Sequence, residues 1–175
     1  MNLKLTILTY ILLMNTSCIQ RDIDKTTVKT IDIDKYMGKW FEIARIDHRF
    51  EHNLVGVTAQ YTKLPNGKIQ VINSGYWNDF SGDFKTAKGV AKITKASEPG
   101  KLKVSFFLWF YAEYNIMELD SKNYSYALIG SNTSEYLWIL SRTPQLPEET
   151  IRLLLNKAEQ RGYDISIVKR IKQKE

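Results

Sequence analysis

From residue 57 onwards, apolar and polar side chains alternate in short runs separated by turn residues. In 57–63, Val57, Ala59 and Tyr61 share one face, and in the return run 68–75 Ile69, Val71 and Asn73 match them. A period of two is the spacing of a strand, whose successive side chains leave opposite faces. The Leu-Pro-Asn-Gly stretch at 64–67 supplies hairpin-turn chemistry between the two. In 86–94, Ala87, Gly89, Ala91 and Ile93 oppose Lys88, Val90 and Lys92, and the small residues leave room on their face. After a turn at 97–100, Leu102, Val104 and Phe106 oppose Lys101, Lys103 and Ser105. Tyr114, Ile116 and Glu118 alternate with Asn115, Met117 and Leu119, and runs at 124–130 and 136–142 follow, the last turning Tyr136, Trp138 and Leu140 inward.

One earlier run differs. Gly38 ends a helix-like turn at 34–37, and the segment after it is bulky on both faces, with Trp40, Glu42 and Ala44 opposite Phe41, Ile43 and Arg45. A strand with no purely polar face is covered on both sides. Eight regularly spaced strands with hairpin turns predict an all-β fold, an eight-stranded antiparallel up-and-down β-barrel, whose closure removes both sheet edges. One C-terminal α-helix supplies the outer cover. Pro147 and the acidic pair Glu148 and Glu149 suit its start and Gly162 its end, and Ile151, Leu154, Leu155 and Ala158 share a face.

In a meander, alternate connections fall at the same end. Those beginning at 47, 76, 107 and 131 share one end, and three of them read as long. The tight turns at 64, 97 and 120 share the other with the turn before Trp40. The first end is the expected mouth and the second the plug. The mouth carries unusually apolar connections: Phe107, Leu108, Trp109, Phe110 and Tyr111 in one, Trp77, Phe80 and Phe84 in its neighbour. Loops are normally polar, so Phe107, Trp109 and Phe110 are read as contacts for ligand, membrane or partner, the membrane foremost; the alternative is a cap folded back over the barrel.

The 175 residues suit one domain, and 43% hydrophobic with 25% charged residues is ordinary for a folded chain. The net charge of +6 comes from lysines and arginines spread along the chain, with no basic helix or nucleic-acid motif, so no nucleic-acid partner is expected. The single cysteine excludes an intrachain disulfide. Its setting is informative: Lys4 lies in a short n-region, 5–14 is apolar, and 15–17 is small and polar before Cys18. The layout is too short to span a bilayer and resembles a bacterial lipoprotein site with an acylated Cys18, although Asn15 stands where such sites usually have Leu. The expected organisation is a signal peptide at 1–17, a lipidated Cys18 with a tether at 18–30, and a folded domain at 31–175.

Chemistry beyond binding finds little support. His48 and His52 are four apart, but Arg49 stands where a zinc-binding helix would carry Glu, and the segment reads as a loop, so no metal or cofactor is expected. Glu42 and Glu118 read as inward carboxylates near the plug, hydrogen-bonded to Tyr or Arg142 rather than catalytic.

Gly38-x-Trp40 after a short turn, together with Tyr136-Leu-Trp-Ile-Leu-Ser-Arg-Thr-Pro144, resembles the lipocalin signature. The runs at 42–45, 47–51 and 103–107 narrow the resemblance to the bacterial outer-membrane lipocalins, akin to apolipoprotein D, over about 31–170. It implies that Gly38, Trp40 and Arg142 are structural, Trp40 plugging the closed end with Arg142 stacked across it. It also implies no enzyme activity, a lipid-anchored outer-membrane location on the periplasmic or surface side, and a fatty acid or (lyso)phospholipid ligand carried for storage, transport or envelope maintenance. The inward set Ala59, Tyr61, Val71, Asn73, Leu102, Val104, Phe106, Tyr114, Ile116, Tyr136 and Trp138 would line that ligand site, with Tyr61, Asn73 and Tyr114 orienting a head group. A partner-docking module, a lipid- or pigment-modifying enzyme and a homodimer stay open as alternatives.

Overall fold

The β-rich runs pair in sequence. In the computed structural model, which describes residues 22–174, the strands are β1 (Gly38–Ile46), β2 (Leu54–Lys63), β3 (Ile69–Trp77), β4 (Phe84–Ile93), β5 (Lys101–Phe107), β6 (Phe110–Leu119), β7 (Tyr126–Gly130) and β8 (Leu137–Ser141). Each is antiparallel to the next, β8 returns to β1, and β1 pairs with β2 from Gly38↔Tyr61 to Phe41↔Thr58. The ring closes as an eight-stranded barrel. The expected signal segment and Cys18 lie outside the described residues.

The closed end is built by α1 (Ile33–Tyr36), whose N-cap Asp32 accepts hydrogen bonds from the Asp34 and Lys35 amides. The helix sets Tyr36 beneath Trp40, and both side chains are fully buried. Trp40 Nε1 donates to the Tyr36 carbonyl at 2.9 Å, which satisfies the one polar group of the indole. Arg142 lies over the Trp40 ring, 3.9 Å from guanidinium carbon to centroid. It also donates to three carbonyls, Lys35 at 2.6 Å, Lys39 at 2.9 Å and Tyr124 at 3.3 Å. Gly38 adopts φ +94°, and a Cβ there would lie 3.3 Å from Arg142 Nη1; glycine is the residue that tolerates both demands.

Helix α2 (Glu148–Gln160) packs outside the barrel. Ile151, Leu154 and Ala158 bury against Ile43, Ala44 and Ile46 of β1 and Leu137 and Ile139 of β8. Gly162 (φ +92°) ends it in a Schellman motif, with Tyr163 N–H donating to Ala158 O and Gly162 N–H to Glu159 O.

Four features depart from the alternation. First, β1 bulges between Glu42 and Ala44, opposite Leu140 and Ile139. Ile43 and Ala44 therefore both face α2, and Arg45, expected outside with Ile43, turns into the barrel beside Glu42. A bulge adds one unpaired residue and so reverses every side chain beyond it. Second, β6 bulges between Ile116 and Glu118. Glu118, expected inside, faces out and accepts from Arg161 at 2.8 Å, while Leu119 returns to the interior. Third, the connection at 107–113 is not a long loop: β5 reaches Phe107 and β6 begins at Phe110, joined by Leu108 and Trp109 with Leu108 at φ +49°. Fourth, residues 22–30 hold no strand, yet they do not hang free as a tether. Asp24 N–H donates to Arg161 O and Val28 N–H to Ile116 O, both at 2.9 Å, and Ile23 is buried beside α2.

An unpredicted short strand, β9 (Val168–Arg170), pairs with β1 at 44–46, on the side that β2 leaves after Phe41. The chain beyond it bridges that seam. Gly56 N–H donates to Lys172 O at 2.7 Å, and the Gln173 amide donates to Glu42 O and Val57 O at 2.7 and 2.9 Å.

The closed end generates a stability prediction. Trp40→Ala removes a fully buried indole and should cost about 3–5 kcal/mol. Arg142→Ala loses the stacking and leaves three carbonyls without their donor, which should cost about 1–3 kcal/mol. Chemical denaturation of both variants checks the order; wild-type stability in either would remove the plug from its structural role.

Candidate functional site

The barrel interior above Trp40 is hollow. It holds a cavity of about 80 Å³. Nine of the eleven expected lining residues reach this cavity: Ala59, Tyr61, Val71, Asn73, Leu102, Val104, Phe106, Tyr114 and Trp138. Phe106 packs against Gly89, where a Cβ would approach its ring to 2.8 Å.

Two expected lining residues sit elsewhere. Ile116 is fully buried with Trp40 and Tyr36 in the interior cluster and does not reach the cavity wall. Tyr136 precedes β8, stacks on Trp138 (5.9 Å), meets His48 at a tilt (5.1 Å), and lines a separate groove with His48, Arg49 and Asp164. The alternation was projected one residue beyond the strand that enforces it. The cavity also takes Glu42, Glu51, Val57, Thr58, Ala91, Ile129 and Leu140. Ala91 and Leu140 lie on faces that the alternation turns inward. Val57 and Thr58 both contribute because β2 bulges between Val55 and Thr58. Glu51 comes from a loop, where no periodicity marks direction.

Three tyrosines form the polar floor. Tyr114 Oη lies 2.7 Å from Tyr36 Oη and 2.9 Å from Tyr61 Oη. Burial pushes all three phenols above their ordinary range, so they stay neutral donors. Three hydroxyl hydrogens serve two bonds, so one hydrogen is left to donate elsewhere. Asn73 Oδ1, higher on the wall, is a buried acceptor with no protein partner.

The opposite wall is acidic, and the bulge in β1 creates it. Arg45 Nη1 donates to Glu42 Oε1 at 2.7 Å, Nε and Nη2 to Asp47 Oδ1 at 3.2 Å, and Nη2 also to the Glu51 carbonyl. Trp138 Nε1 donates to Glu51 Oε2 at 2.9 Å, with His48 Nε2 at 3.0 Å from the same oxygen. Glu42, expected to pair with a tyrosine or Arg142, is instead the partner of Arg45. Burial, then the nearby Glu51 charge, raises the Glu42 carboxyl well above its ordinary value, and Arg45 only partly offsets this. Burial also pushes Glu51 up, but hydrogen bonds from His48 and Trp138 outweigh it and leave its pKa lowered. At Asp47, burial is outweighed by Lys169, His52 and Arg45, and the carboxyl is held below the usual carboxylate range. His48 and His52 thus belong to this ionic network. Among the described residues no group of three or more His, Cys, Asp and Glu is arranged to hold a metal.

At the mouth, the β5–β6 hairpin exposes Phe107, Leu108, Trp109 and Phe110, Trp109 most at 74%. Trp77 and Phe84 are exposed at neighbouring strand ends. Phe80 folds back onto Tyr76, and Lys174 lies over both rings. The hairpin is not a cap: its side chains point to solvent from a two-residue turn.

Glu42 makes stability depend on pH. A carboxyl whose folded pKa is raised contributes fully below its ordinary value of 4.5 and loses that contribution as pH rises through the raised value. Glu42→Gln should therefore gain on wild type as the solution turns alkaline and lose that advantage near pH 4.5. Thermal melts of both proteins across that range check the sign, and parallel curves would mean that Glu42 ionises normally.

No helix among the described residues is long and apolar enough to cross a membrane. The family described as Lipocalin-like domain matches residues 31–173. The outer membrane lipoprotein Blc of Escherichia coli K12 is 44% identical over 141 residues, covering 81% of this chain and 78% of that one. Its namesake from Vibrio cholerae is 43% identical over 137 residues, covering 78% and 80%. Among solved structures, insecticyanin from the tobacco hornworm Manduca sexta superposes with a TM-score of 0.71 at 22% identity, over 87% of this chain and 86% of that one. Both Blc proteins are named outer membrane lipoproteins, and insecticyanin shows the shared fold. By family match, by identity over most of its length and by its closed barrel with one main helix, the chain belongs to the lipocalin family.

Proposed function

We propose that this protein is a lipid-anchored lipocalin that takes the acyl chain of a fatty acid or (lyso)phospholipid into its barrel, for lipid storage, transport or envelope maintenance. The observation that carries the reading is the cavity itself: a bore walled by Val71, Leu102, Val104 and Phe106, too narrow for a broad ring system without rearrangement, with its ionisable groups gathered at the floor and one wall. Desolvation supplies the affinity. Each methylene withdrawn from water contributes about 0.8 kcal/mol, so a long chain is held without a directional contact, and the polar groups orient its head. Lipocalins are generally binding and transport proteins, and the reading assigns this chain no catalytic step. Native mass spectrometry of protein purified from its own membranes tests it. A co-purifying lipid is the expected result; an empty barrel bound stoichiometrically to a protein would favour the docking-module reading.

The same proposal gives Cys18 an acyl anchor. The names of the relatives support it. Cys18→Ser should move the protein from the membrane to the soluble fraction with its melting temperature unchanged. Retention on membranes through a high-salt wash would contradict the anchor.

The proposal further assigns the β5–β6 hairpin to the bilayer surface. Four consecutive apolar side chains in water have no internal partner cluster to enter, and Lys92, over the Tyr111 ring at 4.4 Å, sets a cation beside them. Trp109→Ser with Phe110→Ser should slow transfer of a fluorescent lipid from vesicles several-fold. Affinity for monomeric lipid in solution should change much less, because neither residue lines the cavity. Stopped-flow transfer with equilibrium titration separates the two, and unchanged transfer would remove the hairpin from loading.

A further inference from the structure

The acidic wall determines which head group the cavity accepts. Three carboxylates, Glu42, Asp47 and Glu51, meet two permanent cations, Arg45 and Lys169. Lys169 reaches only Asp47, at 2.6 Å. Arg45 binds Glu42 through Oε1, the Asp47 carboxylate, and the backbone of Glu51 rather than its carboxylate. When Glu42 ionises, one negative charge therefore has no permanent counterion. Both Glu42 and Glu51 line the cavity, and Arg45 reaches Glu42 through Oε1, the residue being only 3% exposed. The remaining polar lining is neutral: Thr58, Asn73, Tyr61 and Tyr114. No lysine or arginine lines the cavity.

We infer that the cavity selects long-chain ligands whose head group carries a positive charge, and that Glu42 and Glu51 form the subsite that receives it. The inference rests on the lipid-binding reading and chooses within it: ammonium-bearing amphiphiles are preferred, and free fatty acids are disfavoured at neutral pH. An incoming ammonium supplies the counterion that an ionised Glu42 lacks. Glu42 releases its proton to solvent as the cation arrives, since a nearby positive charge favours the ionised carboxyl. A fatty-acid carboxylate meets the ionised Glu51 instead, and a buried like-charge pair is costly. The groups that bear on Glu42 from every side are Arg45 and Asp47 on its own strand and the turn after it, Glu51, His48 and His52 from the 47–53 loop, Tyr61 from β2, Tyr114 from β6 and Lys169 from β9. Of these, Arg45 and Lys169 are already committed, and the two imidazoles point to Glu51 and Asp47. The bulge that turns Arg45 inward is thus a specificity device. It supplies enough positive charge to hold two carboxylates in the wall and not enough to neutralise them.

Three probes of one chain length test this on the full protein below their micelle concentrations: dodecyltrimethylammonium, dodecanol and dodecanoate. Near neutral pH the cation should bind about tenfold or more tighter than dodecanoate. Its affinity should rise with pH, with proton release visible as a dependence of the calorimetric heat on the buffer. Dodecanol should bind independently of pH. In Glu42→Gln the ratio of cation to dodecanol affinity should fall about tenfold and its pH dependence should vanish. Dodecanoate binding as tightly as the cation, or cation affinity flat with pH in wild type, would overturn the inference even if Glu42→Gln failed to fold. Dodecanol failing to bind would instead overturn the lipid-cavity reading beneath it.

Discussion

The guanidinium of Arg142 over the indole of Trp40 is the contact on which the rest of the barrel depends. An up-and-down barrel has two open ends, and a cavity that holds an apolar chain needs one of them shut. Trp40 shuts it with the largest side chain available, and Tyr36 supports it from α1. Arg142 then ties three separated segments, near residues 35, 39 and 124, to the end of β8 through their carbonyls. Cation–π attraction alone is modest; its value here lies in holding a charged fork where three acceptors would otherwise be unpaired.

The other end is governed by the opposite constraint, that it must stay open. β1 pairs with β2 only from residue 38 to 41, and above that point the seam is spanned by β9 and the chain after it. Gln173 holds the backbone beside Glu42, so the same few residues close the wall and steady the acidic side of the cavity. Leaving buried carboxylates short of counterions has a cost in folding stability. A protein under selection for stability alone would place a leucine at position 42. The carboxyl is understandable if the cavity is completed by its ligand, and the exposed aromatics of the β5–β6 hairpin fit the same pattern. Both are groups unsatisfied within the chain.

The architecture was legible in the sequence because it rests on local, repeated signals. The period of two, the Asn66-Gly67 turn, the Pro147 and Gly162 helix limits and the Gly38-x-Trp40 pairing with Arg142 each involve few residues and one physical rule. Together they specify eight strands, one outer helix and which end is plugged. Nine cavity residues followed from the same alternation. It failed wherever the ladder slips: at Glu42–Ala44, where Arg45 turned in, and at Ile116–Glu118, where Glu118 turned out. It also failed at Tyr136, just outside the strand.

What only the tertiary structure decided is the chemistry of the cavity. Arg45 read as an outward residue of β1, and Asp47 and Glu51 as polar residues of a loop, because a bulge leaves no mark on hydrophobic periodicity and a loop has none to read. Their burial depends on where Trp138, on the adjacent strand β8, places its indole nitrogen, and on Lys169 in a strand three residues long. The sequence by itself determined a closed barrel with a plugged base, since burying alternating apolar faces requires it. The charge inside that barrel was decided only when distant segments met, because electrostatic partners are chosen by proximity in space.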